Sequence, residues 1–379
     1  MTSEFEKASD NPALKEEIIE RIQREGGITF RDFMDMALYH PRLGYYCSPG
    51  EKMGRSGDYL TSPEVSPIFG ALLGRQLYEM WSSMGKPHRF QVVEAGAGNG
   101  TLCLDLLQWA KRTSAEFFAA LDYAIVEISE KLAARQRDTL AASEMAHAVR
   151  WSDTLPAQIK GCILSNELLD AMPVHRVEME NGQLREVFVT INSQQFDEEL
   201  RDPSTLEIGA YFDRVGLLPA DASRAEVNLD ALRWIQRAGA ALTRGFILTL
   251  DYGYEATELY APWRTDGTLL CFYRHNPSAD PYARIGCQDM TSHVDFTSLR
   301  RAGEEAGLHT LGPISQSEFL TNLGIAETLS QMERGLEDYQ ARRRAVVELI
   351  DPAELGRIKV LAQTKGVRAD LRGFAAGAN

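Results

Sequence analysis

One glycine-rich segment of the chain has the residue types that bind nucleotides. In Val92–Thr101 a short apolar run and an acid lead into three alternating glycines. Glycine accepts positive φ and lets a ligand approach the backbone, and a helix starting at Thr101 would offer unpaired N–H groups. Dinucleotide-binding turns prefer G-x-G-x-x-G, whereas this turn reads G-x-G-x-G, so the spacing favours S-adenosylmethionine over NAD. The cofactor contacts predicted here are Glu94, Gly96, Gly98 and Gly100.

A second acid follows the next apolar run. The segment Tyr123–Ser129 is typical of a buried strand that ends at Glu127, and a helical pattern continues to about Leu140. In nucleotide-binding α/β units, an acid at this place accepts hydrogen bonds from the ribose hydroxyls. We therefore predict a nucleoside pocket in which Glu127 binds the ribose and Asp153 lies near the adenine. An exposed glutamate at a strand end is the alternative.

A cluster of polar residues begins where the fourth parallel strand is predicted to end, in Ser165–Pro173. Ligands of open α/β sheets bind at the carboxyl ends of the strands. Glu167 and Asp170 are three residues apart, so a helical turn would place both carboxylates on one face, able to receive a guanidinium. Methylation of arginine requires one nitrogen to be oriented and a proton to be removed. We predict catalytic roles for both acids and a cofactor contact for Asn166. The alternative is an acid pair that stabilises a helix N-terminus.

Two other segments carry acids that could complete the site. Asp251 ends the apolar run Phe246–Asp251 and is predicted to line the acceptor side, although an aspartate there can equally cap a loop. The loop Gly57–Glu64 is predicted to close over the cofactor, with Asp58 and Glu64 presenting carboxylates to it. A surface loop held by its own polar turns is the alternative.

His293 and Asp295 alternate in a way that suggests a catalytic dyad, but residues at this spacing need not meet. We expect His293 to be structural and Asp295 to N-cap the helix that begins at Phe296. No cluster of His, Cys and acids has the spacing of metal ligands, so no metal is predicted.

Composition restricts the function further. The chain has 379 residues, 44% hydrophobic and 25% charged, and no apolar run long enough to span a bilayer. Its formal net charge of −14 argues against nucleic acid and favours a basic protein or a small cation as partner. The five cysteines lack a C-x-x-C pair, which predicts reduced core residues. The acidic N-terminus resembles neither a signal peptide nor a presequence, so a cytoplasmic location is expected.

Alternating strand and helix patterns from Gln91 to Ser165 predict an α/β fold with a mostly parallel sheet and helices on both faces. Helices are predicted for Pro12–Glu25 and from Thr29 to Leu38, and a hairpin around Asn181-Gly182 marks an inserted subdomain. A late helix, Glu318–Tyr339, and a final strand, Ile358–Ala362, complete the pattern. The predicted regions are an N-terminal helical region with the lid loop (1–85), the first part of the core (86–172), the insert (173–228) and the rest of the core with C-terminal helices (229–379).

Five motifs in fixed order resemble the MidA-like family. They are Gly57–Glu64, Glu94–Thr101, Asn166–Pro173, Asp251–Tyr254 and Gly286–Phe296. The resemblance runs from about Gly26 to Gly366. It implies a class I methyltransferase (Rossmann-like) fold that uses S-adenosyl-L-methionine, with extra N-terminal helices and an inserted subdomain. The family's mitochondrial members assist assembly of respiratory complex I, and for them the resemblance implies a protein arginine methyltransferase that acts on a complex I subunit. Ala97 and Asn99 stand where other members often have proline and arginine; the backbone N–H groups that would bind the cofactor remain, and the substrate of this chain stays open.

The leading hypothesis is therefore a methyltransferase acting on arginine in a protein, with a respiratory complex I subunit as a candidate substrate. The alternatives are a scaffold that assists assembly without catalysis and, less favoured by the glycine spacing, an NAD-dependent oxidoreductase. A smaller guanidine, an amine or an oxygen nucleophile stays open as acceptor. A homodimer is also left open.

Overall fold

The computed structural model describes residues 10–48, 52–54, 57–330 and 337–375. The α-helices are α1 (Pro12–Glu25), α2 (Phe30–Tyr39), α3 (Ser62–Val65), α4 (Pro67–Ser83), α5 (Thr101–Thr113), α6 (Ala115–Ala120), α7 (Glu130–Ala141), α8 (Leu206–Val215), α9 (Leu229–Ala241), α10 (Ala256–Leu259), α11 (Phe296–Glu305), α12 (Gln316–Asn322), α13 (Ile325–Ser330) and α14 (Glu337–Ile350). The strands are β1 (Ile28–Thr29), β2 (Phe90–Ala95), β3 (Leu121–Val126), β4 (Val149–Ser152), β5 (Ile159–Asn166), β6 (His175–Glu180), β7 (Gln183–Asn192), β8 (Gln195–Arg201), β9 (Arg224–Val227), β10 (Leu242–Asp251), β11 (Gly253–Tyr254), β12 (Leu270–Tyr273), β13 (Asn276–Ser278), β14 (Asp289–Thr291), β15 (Val294–Asp295), β16 (His309–Ser315) and β17 (Lys359–Lys365).

A seven-stranded sheet with the order β16-β17-β10-β5-β2-β3-β4 forms the centre. The strands from β10 to β4 run parallel, and β17 is antiparallel to both of its neighbours. The chain order reverses direction between β2 and β5, which is where open parallel sheets leave a crevice for ligands. The prediction of an α/β fold with a mostly parallel sheet is confirmed.

Both faces of this sheet are covered because its strands are apolar on both sides. Val92 packs into a core with α4 and α5, while the adjacent Val93 packs into a second core with α9 and α11. Successive strand residues point to opposite faces, so a continuous apolar run serves both layers. Helices on both faces follow from this sequence pattern, as predicted.

The predicted hairpin is present, and it belongs to a second sheet. Asn181 and Gly182 have φ values of 51° and 75°, as a two-residue hairpin turn between β6 and β7 requires. The five-stranded sheet also contains β8, β9 and the N-terminal strand β1, in which Ile28 pairs with Val189. The predicted regions 1–85 and 173–228 are therefore joined through one sheet.

Most other element predictions agree with the structure, with one correction. Asn11 and Thr29 cap α1 and α2 by accepting hydrogen bonds from backbone N–H groups, and α1 ends at Gly26. The long helix expected over Glu318–Tyr339 is wrong, because α12 ends before Gly324, which has a φ of 88° that a continuous helix cannot hold. Part of that expected helix, residues 331–336, lies outside the described residues.

The cysteines agree with the prediction at three positions and differ from it at two. None of the five cysteines forms a disulfide; three of them are buried, whereas Cys47 and Cys287 are half-buried and so are not core residues.

Within the described part of the chain, no helix combines the length and the apolar character needed to cross a membrane.

Two glycines allow α4 and α5 to approach closely on one face of the sheet. A Cβ added at Gly70 would lie 2.5 Å from the Cβ of Asp105, and one at Gly74 would lie 2.5 Å from the Trp109 ring. The packing of α4 over the helix that follows the glycine-rich turn therefore depends on these small residues.

We predict that Gly74→Ala lowers the free energy of unfolding by about 1–2 kcal/mol, because overpacking against Trp109 outweighs the gain in helix propensity. The matched control is Gly209→Ala in α8, where an added Cβ meets nothing within 4 Å. That variant should gain up to about 1 kcal/mol. Urea unfolding of the two variants measures the difference, and equal stabilities would contradict the packing argument.

Candidate functional site

The candidate site lies at the carboxyl ends of β2, β3, β5 and β10. Gly96, Gly98 and Gly100, in the turn after β2, have φ values of 68°, 54° and 82°. Gly100 precedes α5 and provides no side-chain cap, so the first N–H groups of this helix have no capping side chain. Such a helix N-terminus favours a ligand that accepts hydrogen bonds.

The glycine-rich turn leaves no room for larger side chains. A Cβ at Gly96 would lie 2.8 Å from a methyl carbon of Leu168, and one at Gly98 would lie 2.9 Å from the sulfur of Met53. Met53 belongs to the loop before α3, so this loop lies against the turn. We call the turn Gly96–Gly100 the glycine cradle. It fits a ligand that binds to backbone groups of the turn.

Glu127 is held beside the turn by a buried glutamine. One carboxylate oxygen of Glu127 accepts a hydrogen bond from the Ser129 N–H (2.9 Å), and the other accepts one from Nε2 of Gln136 (3.0 Å). The same Nε2 donates to the carbonyl of Gly98 (3.0 Å), and the Gln136 carbonyl accepts from Nε1 of Trp151 (3.1 Å). Gln136 therefore fixes the carboxylate relative to the glycine-rich turn. Burial raises the pKa of Glu127.

Sequence reasoning missed Gln136, although its position carries a signal. The buried residues of α7 are Ala133, Gln136 and Leu140, which are spaced three and four apart along one face. A glutamine on an apolar helix face needs hydrogen-bond partners. Here its partners include the Gly98 carbonyl of the glycine-rich turn and the Glu127 carboxylate.

Two of the predicted cofactor residues lie at the edge of this arrangement. Glu94 is buried and accepts a hydrogen bond from the Tyr123 hydroxyl (2.7 Å), and burial raises its pKa to about 7. Asp153 is exposed just beyond β4, where the Glu127 N–H donates to the Ser152 carbonyl (2.9 Å). Cofactor contacts of Glu94 and Asp153 stay predictions.

The two loop carboxylates, Glu64 and Asp58, contact different parts of the protein. Glu64 accepts hydrogen bonds from Nδ2 of Asn99 (3.1 Å) and the Thr101 hydroxyl (2.7 Å), so it lies at the glycine-rich turn. Asp58 instead accepts from the Tyr45 hydroxyl (2.7 Å) and the Arg274 N–H (2.8 Å). Asp58 thus holds the loop to the β12–β13 hairpin. For both acids, a contact with the cofactor stays a prediction.

The helical turn expected at Glu167–Asp170 is wrong. Residues 167–172 form a bend and a turn, and Glu167 has a φ of 50°. The Asp251 carboxylate accepts hydrogen bonds from the N–H groups of Leu168 (3.2 Å), Leu169 (2.7 Å) and Tyr252 (3.0 Å). A side chain from the neighbouring strand therefore satisfies N–H groups of this turn. These are the bonds of a loop cap; a catalytic role for Asp251 stays a prediction.

We call Glu167 and Asp170 of this turn, together with Asp251 at the end of β10, the acid cluster; Asp170 and Asp251 are buried and Glu167 is half-buried. Glu167 accepts hydrogen bonds from the Ser62 N–H (3.1 Å) and from Nδ2 of Asn166 (3.0 Å), and burial raises its pKa to about 8. Burial raises the pKa of Asp251 to about 7, and burial together with the other two acids raises that of Asp170.

Charge in the acid cluster is not compensated by the protein. No lysine or arginine of the described residues forms an ion pair with any of its three acids, and neighbouring acids add to the raised pKa values of Glu167 and Asp170. Buried carboxylates without a counterion favour the entry of a cation. The cluster can therefore receive a cationic ligand.

His293 and Asp295 do not form a dyad. Asp295 N-caps α11 by accepting hydrogen bonds from the N–H groups of Thr297 (2.9 Å) and Ser298 (3.2 Å), as predicted. Burial, with Arg357 and Arg264 nearby, lowers the pKa of His293 to about 4, so its imidazole is neutral at pH 7.

Among the described residues no group of three or more His, Cys, Asp or Glu could hold a metal ion. That the protein works without a metal stays a prediction.

Comparison with known proteins agrees with this geometry. A family described as S-adenosyl-L-methionine-dependent methyltransferase matches residues 72–314, more than half of the chain. The chain belongs to this methyltransferase family, and its cofactor is S-adenosyl-L-methionine. The glycine cradle and the oriented Glu127 carboxylate fit such a nucleoside.

Relatives and a solved structure extend over nearly the whole chain. Protein arginine methyltransferase NDUFAF7 homolog of Drosophila melanogaster is 30% identical over 394 residues, covering 95% of this chain and 87% of the relative. Mitochondrial NDUFAF7 of Mus musculus is 34% identical, covering 80% and 72%. A superfamily member from Burkholderia thailandensis, crystallised with S-adenosyl-homocysteine, is 36% identical with a TM-score of 0.90, covering 97% of this chain and 95% of that one.

We expect Gly98→Val to abolish S-adenosyl-L-methionine binding, because the added side chain meets Met53 and φ at this position is positive. Isothermal titration calorimetry with the cofactor and with NAD measures this. The control is Gly182→Ala, which has a similar positive φ but nothing within 4 Å of the added Cβ. It should bind like the unaltered protein, and retained binding by Gly98→Val would exclude the turn as the cofactor site.

The raised pKa of Glu167 predicts a pH-dependent stability. Between the ordinary glutamate pKa of about 4.3 and the folded value of about 8, the folded state keeps a proton that the unfolded chain releases. Stability should therefore fall as pH rises through this range. The glutamine side chain of Glu167→Gln does not titrate, so this variant does not lose stability as the pH rises. At pH 8 it should be more stable than the unaltered protein by about 1–2 kcal/mol, with less difference at pH 5.

Urea unfolding of the cofactor-free protein from pH 5 to pH 8.5 measures the effect. Asp213→Asn, at an exposed position in α8, is the control for the loss of one negative charge and should show no such dependence. A Glu167→Gln difference that is constant with pH would show that Glu167 titrates normally.

Proposed function

We propose that the protein is a class I methyltransferase that methylates arginine in a protein substrate. The observation that carries this proposal is the acid cluster: three carboxyl groups without a counterion, at the same sheet edge as the cofactor cradle. A guanidinium is cationic at every ordinary pH and matches carboxylates in shape. The names of the NDUFAF7 relatives, protein arginine methyltransferases, support the same acceptor.

The residues of the cradle would hold the cofactor. Backbone groups of Gly96–Gly100 and the carboxylate of Glu127 are suited to its nucleoside, with Gln136 holding that carboxylate in place. When bound, S-adenosyl-L-methionine supplies an electrophilic methyl group. Catalysis by the protein is then largely a matter of alignment, and proximity can account for about 7–11 kcal/mol in favourable cases.

The acid cluster performs the second task, which is to prepare the acceptor nitrogen. Glu167 and Asp170 bind the guanidinium and orient one nitrogen, and one of them takes the proton which that nitrogen loses. Asp251 keeps the turn that carries them in place through its backbone hydrogen bonds. A carboxylate with a pKa of about 8 is a stronger base than an ordinary glutamate, and this favours Glu167 as the proton acceptor.

The family resemblance and the relatives suggest where to look for the substrate. A subunit of respiratory complex I, encountered in the cytoplasm, is the proposed target. A scaffold without catalytic activity is the rival function. It predicts the same partner without transfer of a methyl group.

Purified protein is incubated with S-adenosyl-L-methionine and a complex I preparation from cells that lack the enzyme, and methylated arginine is found by peptide mass spectrometry. We expect a gain of one or two methyl groups on arginine. Glu167→Gln and Asp170→Asn should lower kcat/KM by about 10²-fold or more, and Asp213→Asn should not. Cofactor binding with no methylated product in any fraction would favour the scaffold.

The pH profile tests the assigned base separately. Because Glu167 must be ionised to accept the proton, kcat/KM should rise with pH and level off above about pH 8. Glu167→Asp, which shortens the side chain and keeps the carboxylate, should retain more activity than Glu167→Gln. A profile that is flat from pH 6 to pH 9 would remove Glu167 from this role.

A further inference from the structure

A group of cations and aromatic rings lies beside the acid cluster and has no part in the proposed chemistry. We call it the cationic rim: Tyr252, Tyr254, Arg264, His293 and Arg357. The guanidinium of Arg357 lies 5.3 Å from the centre of the Tyr252 ring, and that of Arg264 lies 4.9 Å from the centre of the Tyr254 ring. The His293 ring stacks on Tyr252 (6.3 Å) and meets Tyr254 edge-on (5.1 Å).

Backbone hydrogen bonds attach the rim to the acid cluster. The Ser292 N–H donates to the Asp170 carbonyl (2.9 Å), and the Val294 N–H donates to the Tyr252 carbonyl (2.8 Å). His293 lies between these two bonds, and Tyr252 directly follows Asp251. Asp251 is fully buried, Arg264 is half-buried and Arg357 is exposed, so the rim lies nearer the surface than Asp251.

The cations of the rim are not neutralised by the protein. Among the described residues, neither Arg264 nor Arg357 forms an ion pair with a carboxylate, whereas Arg31 and Arg224 do. The Nε of Arg264 and the Nδ1 of His293 are both buried without a hydrogen-bond partner. Because buried polar groups are normally hydrogen-bonded, these two nitrogens are available to a ligand, and the exposed guanidinium of Arg357 lies at the same site.

We propose that the cationic rim binds a carboxylate side chain two residues from the methylated arginine of the protein substrate; this rests on the proposed function. The acid cluster receives the guanidinium while the outer guanidinium groups receive the acid beside it. In an extended chain, residues two positions apart point to the same face and lie about 7 Å apart, so one segment can present both groups. Trp263, 76% exposed and adjacent to Arg264, offers an aromatic surface to the same segment.

The arrangement selects a substrate by the order of its charges. A segment with a second arginine beside the target would place like charges against Arg264 and Arg357, which is unfavourable. An acidic neighbour gains charge-assisted hydrogen bonds there. The rim therefore discriminates between arginines that the acid cluster alone would bind equally.

Two fluorescein-labelled peptides test this, Glu-Gly-Arg-Gly-Glu and Gln-Gly-Arg-Gly-Gln with blocked ends. Their binding to the protein saturated with S-adenosyl-homocysteine is measured by fluorescence anisotropy. We expect the glutamate peptide to bind about tenfold more tightly, a preference that high salt reduces. In the double variant Arg264→Gln, Arg357→Gln the two peptides should bind equally. Arg368→Gln, an exposed arginine of the same charge at the other end of the sheet, should keep the preference.

Circular dichroism and S-adenosyl-homocysteine binding verify that the variants fold. Absence of a preference in the unaltered protein, or an unchanged preference in the double variant, would overturn the proposal. L-Arginine and agmatine, which lacks the α-carboxylate, form a further arm. A rim-dependent preference for L-arginine with none for the glutamate peptide would assign the rim to a free amino acid instead.

The same peptides are assayed for methyl transfer, which separates the two proposals. Rim-dependent binding of the glutamate peptide without methylation of any arginine would leave the rim in place and reject arginine methylation. Methylation of both peptides at equal kcat/KM, unaffected by the double variant, would support the enzyme and reject the rim.

Discussion

The hydrogen bonds of the Asp251 carboxylate hold the acceptor side of the site together. This one side chain, at the end of β10, satisfies backbone N–H groups of the turn that follows β5 and of the residue after itself. Without it, buried N–H groups of that turn would lack an acceptor, and each would cost about 1–3 kcal/mol. The unusual φ of Glu167 and the position of Asp170 both depend on this turn. Asp251 therefore shapes the acid cluster in addition to contributing charge to it.

Gln136 has the corresponding position on the cofactor side. Its amide group joins Glu127, the carbonyl of Gly98 and the Trp151 ring, which lie on three consecutive strand ends. Each half of the site is thus fixed by a buried polar side chain that contacts neighbouring strand ends. The two halves meet where Leu168 lies against Gly96. A change that tilts one strand end would displace residues in both halves of the site, because packed interiors transmit displacement.

The sequence predicted more of the fold than of the site geometry. Apolar runs and alternating periodicity are local signals, so the parallel sheet, the hairpin at Asn181 and the caps at Thr29 and Asp295 could be derived. The helical turn at Glu167 could not be excluded, because what replaces it is a hydrogen bond that the Leu169 N–H donates to the Asp251 carboxylate, 82 residues away. Gln136 was missed because its partners come from separate strands. The different positions of Asp58 and Glu64 likewise depend on contacts between distant segments.

The pairing of β1 with β7 bears on how the chain folds during synthesis. Leu14, Ile18 and Phe33 of the first two helices share a core with Val189, Cys271 and Met290. A ribosome delivers α1 and α2 before these partners, so their apolar side chains are only partly covered until Met290, about three quarters of the way along the sequence, has been made. Contacts this distant in sequence form slowly, and exposed apolar surface attracts other chains in the meantime. Until those partners are made, the apolar faces of α1 and α2 are exposed to association with other chains.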